Sequence, residues 1–315
     1  MPCKKGGGTH QMKYRKILCG LLLACLLCGC HTIEIHRARP EYTVTVVLKA
    51  LGSHYWLDMR SGMQQAAKEL GIDLILLSPS GELENQEQQD FIADALQADT
   101  DILLFAPCDS YDTKWVVEAA AAKQIPVLTV DTRSLDADLP YIGSDNAQIG
   151  ALAAEYLSSA LPDGGAVVIM AGSQQQASHI DRIDALRRCL DSRTQIAEIF
   201  YTDMTQTSGY NTIKKMAGQD FDAVFCANAV IGQGVAAGLL EMGCQAEIIA
   251  VDTQADAYQI LEDGTMDALL SQDGYTIGYE AVAAAVHTLE TGELPEDKLF
   301  ASELLTSPGK EAAKT

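Results

Sequence analysis

Apolar and polar positions along this chain alternate between two periods, and the alternation starts at residue 43. Residues 43–49, TVTVVLK, form a run of β-branched and apolar side chains that reads as a buried strand. Met59, Met63, Ala66, Ala67 and Leu70 then recur at the spacing of one helical face. The pattern repeats for the rest of the chain. Strand-like runs fall at 43–49, 73–77, 102–105, 127–130, 166–170, 196–201, 223–226, 248–251 and 268–270. Helix-like runs lie between them, at 56–70, 83–97, 113–124, 147–160, 181–190, 209–217, 231–242, 255–262 and 277–291. Strict β-α alternation with short loops predicts an α/β fold of parallel sheets covered by helices on both faces.

The cycle breaks once. Pro140-Tyr141-Ile142-Gly143 forms a short extended piece, Ser144-Asp145-Asn146 leads into a new helix, and from Gly164 the alternation starts afresh. Two similar halves predict two doubly wound lobes with a cleft between them. No Pro/Gly/Ser-rich linker separates them, so crossing segments are expected rather than beads on a string.

The beginning of the chain has another character. Met12-Lys13-Tyr14-Arg15-Lys16 and the apolar stretch 17–27 match the positive and hydrophobic parts of an export signal, and 11 apolar residues are too few to span a bilayer. Leu27-Cys28-Gly29-Cys30 resembles a bacterial lipobox, in which the final cysteine is acylated and becomes the first mature residue. Leu22-Leu23-Ala24-Cys25 is a weaker candidate because it would cut inside the apolar run. Translation is expected to begin at Met12. The reading is therefore a signal over 1–30 with lipidation at Cys30, and a polar tether over 31–42.

Charge and cysteine content exclude several classes of function. The formal net charge is −21; without the five basic residues before Cys30, 17 basic side chains face 43 acidic ones, giving −26. So acidic a chain argues against nucleic acid as a partner and against adhesion to anionic lipid by charge alone. Cys108, Cys189, Cys226 and Cys244 contain no C-x-x-C pair, so neither zinc nor a dithiol motif is supported, and buried free thiols are expected. No G-x-G-x-x-G follows the first strand, and the phosphate loop, the G-x-S-x-G elbow and H-E-x-x-H are missing. The reading is a non-enzyme that needs no cofactor and no metal.

A set of short motifs follows in a fixed order: Gly52-Ser53-His54-Tyr55-Trp56 with Gly62 and Ala66, Pro126 to Asp131, and Ile142-Gly143-Ser144-Asp145-Asn146 with Gly150. It continues through Ala223 to Asn228, Ile249-Ala250-Val251-Asp252, and Leu269-Leu270-Ser271-Gln272 before Ile277-Gly278. On these motifs the chain, from about residue 44 to 305, resembles the type 1 periplasmic binding proteins of the ribose- and galactose-binding kind. The resemblance implies two lobes joined by a three-segment hinge. Residues 43–144 with 273–297 would form the first lobe, 145–272 with 298–308 the second, and 309–315 a tail. It further implies a monomer that closes on a small carbohydrate-like ligand beside a membrane partner, either an ATP-driven permease or a receptor such as a histidine kinase.

The ligand-binding residues the resemblance points to are Ser53, Tyr55, Trp56, Asp131, Thr132, His179, Arg182, Asn228, Asp252 and Gln272. A sugar offers apolar C–H faces to flat aromatics and a rim of hydroxyls to carboxylates and amides. The plain alternative for Trp56 is lobe core, and for Asn228 and Asp252 it is helix capping. Gln272, directly after a strand at a crossing, has the least structural excuse. The chain also departs from the sugar binders: Thr132 stands where an arginine usually follows Asp131, Ile180 occupies the ribose-type arginine position, and Ala229 replaces an acid after Asn228. Ribose itself is thereby put in doubt.

Overall fold

The structure, a computed structural model, describes residues 41–252 and 255–308. The export signal, Cys30, most of the tether and the tail lie outside the described residues. Among the described residues no helix is long and apolar enough to cross a membrane.

The first sheet is built from β1 (Thr43–Val47), β2 (Asp73–Leu77), β3 (Ile102–Phe105), β4 (Val127–Val130), β5 (Tyr141–Ser144) and β11 (Lys298–Phe300), in the order β11-β5-β4-β3-β1-β2. The second contains β6 (Gly165–Ala171), β7 (Thr194–Tyr201), β8 (Ala223–Cys226), β9 (Glu247–Val251), β10 (Ala268–Leu270) and β12 (Leu304–Thr306), in the order β12-β10-β9-β8-β6-β7. All pairings are parallel except β10 with β12. The helices are α1 (His54–Leu70), α2 (Asn85–Gln97), α3 (Lys114–Ala121), α4 (Asn146–Ala160), α5 (Ala177–Cys189), α6 (Gln206–Lys214), α7 (Ala229–Met242), α8 (Ala255–Glu262) and α9 (Gly274–Thr291).

Because successive strand residues face opposite sides, each strand feeds two cores. Val44, Val46 and Leu48 pack under α1 and α9, whereas Val47, Leu103 and Phe105 pack under α2 and α3. In the second sheet Val168 and Met170 face α6, α7 and α8, while Val167, Ile169 and Ala171 face α4 and α5. This is why the central strands read as unbroken apolar runs: neither face meets water, whereas the edge strands β2 and β7 keep residues such as Ile75 and Glu198 exposed. The fold is thus two parallel-sheet α/β lobes.

Three segments connect the lobes: the turn from β5 to α4, the turn from β10 to α9, and the stretch between β11 and β12. The last corrects the expected boundary. Lys298–Phe300 pairs with Ile142–Ser144 of the first sheet, so the crossing follows Phe300 and only β12 belongs to the second lobe. Both strands are three residues long and carry no periodicity to find. The cysteines need correction too. All four are free, but only Cys108 and Cys226 are buried; Cys189 and Cys244 are exposed at helix ends.

Candidate functional site

The carboxyl ends of both sheets face each other across a cavity of about 310 Å³. In open parallel sheets this is where ligands bind. Of the ten residues singled out in the sequence, nine line it: Ser53, Tyr55, Trp56, Asp131, His179, Arg182, Asn228, Asp252 and Gln272. Thr132 sits just behind, fully buried, donating from Oγ1 to Asp131 at 2.6 Å.

Two of the acids occupy equivalent places in the two lobes. Asp131 follows β4 and Asp252 follows β9, and the backbone amide of each donates to the neighbouring strand, to Ile142 at 2.9 Å and to Leu270 at 2.8 Å. Each is left-handed, with φ of 64° and 81°. A non-glycine residue there costs of order 1–3 kcal/mol, a strain that concentrates at ligand sites. The turn aims each carboxylate off its strand end toward the cavity instead of along the sheet.

Their surroundings differ. Asp131 accepts from Tyr55 Oη at 2.7 Å and lies 3.2 Å from Lys49 Nζ. Burial alone would push its carboxyl up, but Lys49 and the hydroxyls of Thr132 and Tyr55 more than offset this and hold it below the ordinary carboxylate range. Asp252 Oδ1 is buried with no hydrogen-bond partner. Burial pushes its pKa up to about 7; Glu82 and Asp131 add to the rise, and Arg182 and Lys49 oppose it.

Lys49 is the most consequential of the lining residues the sequence reading missed, Glu82 and Asp203 being others. It extends from the end of β1, is almost wholly buried, and donates to Thr132 at 2.8 Å and Gln176 at 3.3 Å, with Glu82 at 3.9 Å. It supplies from another strand the positive charge that Thr132 withholds after Asp131. A lysine closing an otherwise apolar buried run was the available signal, since an ammonium there must be paired. Glu82 completes the arrangement: Trp56 Nε1 donates to it at 2.9 Å. One lysine therefore ties together the two carboxylates that hold Tyr55 and Trp56. The rings meet edge to face at 5.2 Å, with Lys49 Nζ 5.5 Å over Trp56. Both aromatics also belong to the core under α1. Trp56 is thus core and cavity wall at once.

From the second lobe, α5 begins at Ala177, four residues before its expected start, which places Ser178, His179 and Arg182 in its first two turns. Arg182 donates from Nε to Asn146 at 2.8 Å, from Nη1 to the Ala227 carbonyl at 2.7 Å, and from Nη2 to Gln272 at 2.9 Å. His179 is buried; desolvation, reinforced by Arg182 and Lys49, holds its pKa well below the ordinary imidazole value. Its Nδ1 accepts from Gly172 at 3.4 Å, which leaves the proton on Nε2. Asn228 caps α7 through Ile231 at 2.9 Å and still reaches the cavity, so capping and lining coincide. Gln272 proves to have a structural task as well, bridging Arg182 and Ser144 Oγ at the hinge.

The arrangement offers a small cavity open at its rim, with an aromatic wall and several polar and charged side chains. Among the described residues no group of three or more His, Cys, Asp or Glu is placed to hold a metal ion.

Comparison with known proteins places this geometry. A family model for the periplasmic binding protein domain matches residues 44–294. The D-allose-binding periplasmic protein of Escherichia coli is 26% identical over 320 residues, covering 93% of this chain and 99% of that one. The ribose import binding protein of Bacillus subtilis is 24% identical over 250 residues, covering 78% and 81%. Among solved structures, the ABC transporter solute binding protein of Burkholderia graminis in complex with D-arabinose shares the fold with a TM-score of 0.80 at 24% identity, covering 86% of this chain and 97% of that one. The Caulobacter myo-inositol binding protein, bound to myo-inositol, superposes with a TM-score of 0.79 at 18% identity, covering 86% and 95%.

Proposed function

The chain belongs to the periplasmic binding protein domain family, and we propose that it is an extracytoplasmic, lipid-anchored binding protein that captures a small carbohydrate-like ligand between its lobes and delivers it to an ABC-type permease. The observation that carries this reading is the pairing, across one cavity between the lobes, of the Tyr55–Trp56 wall with Asp252 Oδ1, a buried acceptor that lacks a donor. A buried acceptor without a partner is costly unless something completes it. A polyhydroxylated ligand brings donors for the carboxylates and C–H faces for the rings. The relatives' names, with ribose and D-allose, belong to the same chemical class.

Calorimetric titration with monosaccharides and polyols tests the reading. A carboxylate–hydroxyl bond is worth about 1.5–3 kcal/mol and an aromatic anchor about 2 kcal/mol or more. Trp56→Ala and Asp252→Ala are each expected to weaken binding by about tenfold or more. Undiminished affinity in both folded variants would remove this cavity as the binding site. The lipid anchor is supported by the Gly29-Cys30 boundary after an 11-residue apolar stretch. Stable anchoring takes at least two chains or signals, so Cys30→Ser is expected to shift the protein from the membrane fraction to the soluble one; unchanged fractionation would refute it.

A further inference from the structure

The positive groups at the cavity are all engaged by the protein or neutral. Lys49 Nζ is directed at Thr132, Gln176 and Asp131, all within 3.3 Å, which uses its three donors. All three guanidinium nitrogens of Arg182 already donate to neutral protein acceptors. His179 is held in its uncharged form. A ligand carboxylate or phosphate calls for a free ammonium or an open guanidinium fork.

The acidic side is in excess. Asp131 and Glu82 share the single charge of Lys49. Asp203 stands exposed at the rim and lines the same space. Asp252 Oδ1 is buried without any partner. Four carboxylates thus line a cavity with two cations, Lys49 and Arg182. A ligand hydroxyl would satisfy the open lone pair of Asp252 but bring no charge beyond the partial compensation already given by Arg182 and Lys49. An ammonium does both, and a charge-assisted bond is about twice as strong as a neutral one.

Resting on the carbohydrate reading above, we propose that the ligand is an aminated sugar or polyol whose ammonium is held at Asp252, and that the cavity refuses acidic sugars. Asp252 is then the residue that sets specificity by charge, and Lys49 is the reason a second cation is tolerated: its own charge is already matched by Asp131 and Glu82.

The test is calorimetry on the full chain near neutral pH, with D-glucosamine and D-galactosamine against their neutral parents, their N-acetyl forms and the corresponding uronates. Neutral pentoses and polyols complete the panel. In at least one pair the amine is expected to bind about tenfold or more tightly than both the parent and the N-acetyl form. The uronates are expected to give no heat, and Asp252→Asn should bring the ratio of amine to parent close to one. The N-acetyl comparison needs no variant and so stands even if Asp252→Asn does not fold. Neutral sugars binding as well as their amines, or a uronate binding at all, overturns this inference and leaves the carbohydrate reading intact. Silence from the entire panel overturns the carbohydrate reading and this inference with it.

Discussion

At the scale of single residues, Asp252 makes stability depend on pH in an unusual direction. Its carboxyl titrates near 3.8 in an unfolded chain and at about 7 in the fold, where burial dominates and Arg182, Glu82, Asp131 and Lys49 are the charges around it. Below 3.8 both states hold the proton and nothing is lost. As pH rises through the interval the unfolded chain releases its proton first, so this residue draws stability down until about pH 7 and leaves it lowered above. Asparagine removes the charge and tolerates the left-handed backbone. Asp252→Asn is therefore expected to melt higher than the parent protein at pH 8, with the difference vanishing near pH 4; equal melting at both would show that Asp252 is not held in a desolvated site. Lys49 behaves oppositely. Truncating one partner of a buried ion pair strands the other, at about 3–5 kcal/mol. Lys49→Met strands Asp131 and Glu82 together, so urea unfolding should show a loss of at least that size, whereas an exposed lysine would show almost none.

At the scale of elements, the central parallel strands were legible because they are apolar on both faces, and the sequence reading located the cores of β1 to β10, β5 among them as the short extended piece 140–143. Helix starts were less so. Asp145, Asn228 and Asp273 announce α4, α7 and α9 by accepting from the amide three residues on. No such side chain caps α5: Gln176, the residue before it, is instead bonded to Lys49 and Glu82 of the other lobe. Its start is set by a contact more than a hundred residues away in sequence, which no local pattern records, and Ser178 and His179 moved from loop to helix as a result, while Arg182 already stood in the expected helix. The same limit hid Lys49, whose partners come from four separate segments. The crossing of α1 and α9 is a further contact of this kind. Gly62 faces the Tyr275 carbonyl and Gly278 faces that of Met59, so closely that a methyl group at either would fall on backbone. Overpacking at such a contact costs about 1–3 kcal/mol. Gly62→Ala is expected to lower unfolding stability by that amount, and a neutral result would mean the two helices separate freely.

At the scale of the whole molecule, the lobes are joined by contacts across the cleft as well as by three chain crossings. Ser110 of the first lobe donates its amide to the Gln175 carbonyl at 2.8 Å and accepts at Oγ from Ala177 at 3.0 Å. Arg133 reaches Asp181 with Nε at 3.1 Å. Deeper in, Gln176 accepts from Lys49 and donates from Nε2 to the Glu82 carbonyl at 3.0 Å. The Arg133–Asp181 pair is half exposed and contributes little, as surface pairs do. Gln176 is fully buried and is not part of the cavity wall, so its bonds act on closure and not on the ligand. Apparent affinity scales with the fraction of molecules whose lobes are in the binding-competent arrangement. Losing two hydrogen bonds, the buried one from an ammonium, shifts that fraction by about tenfold or more. Gln176→Ala should accordingly raise Kd by about that factor for whichever sugar binds. Small-angle scattering of the ligand-free variant should report a larger radius of gyration, and saturating ligand should restore the compact value. A weakened affinity with unchanged ligand-free dimensions would place Gln176 in the site itself, and an unchanged affinity would mean that the cleft contacts do not govern closure.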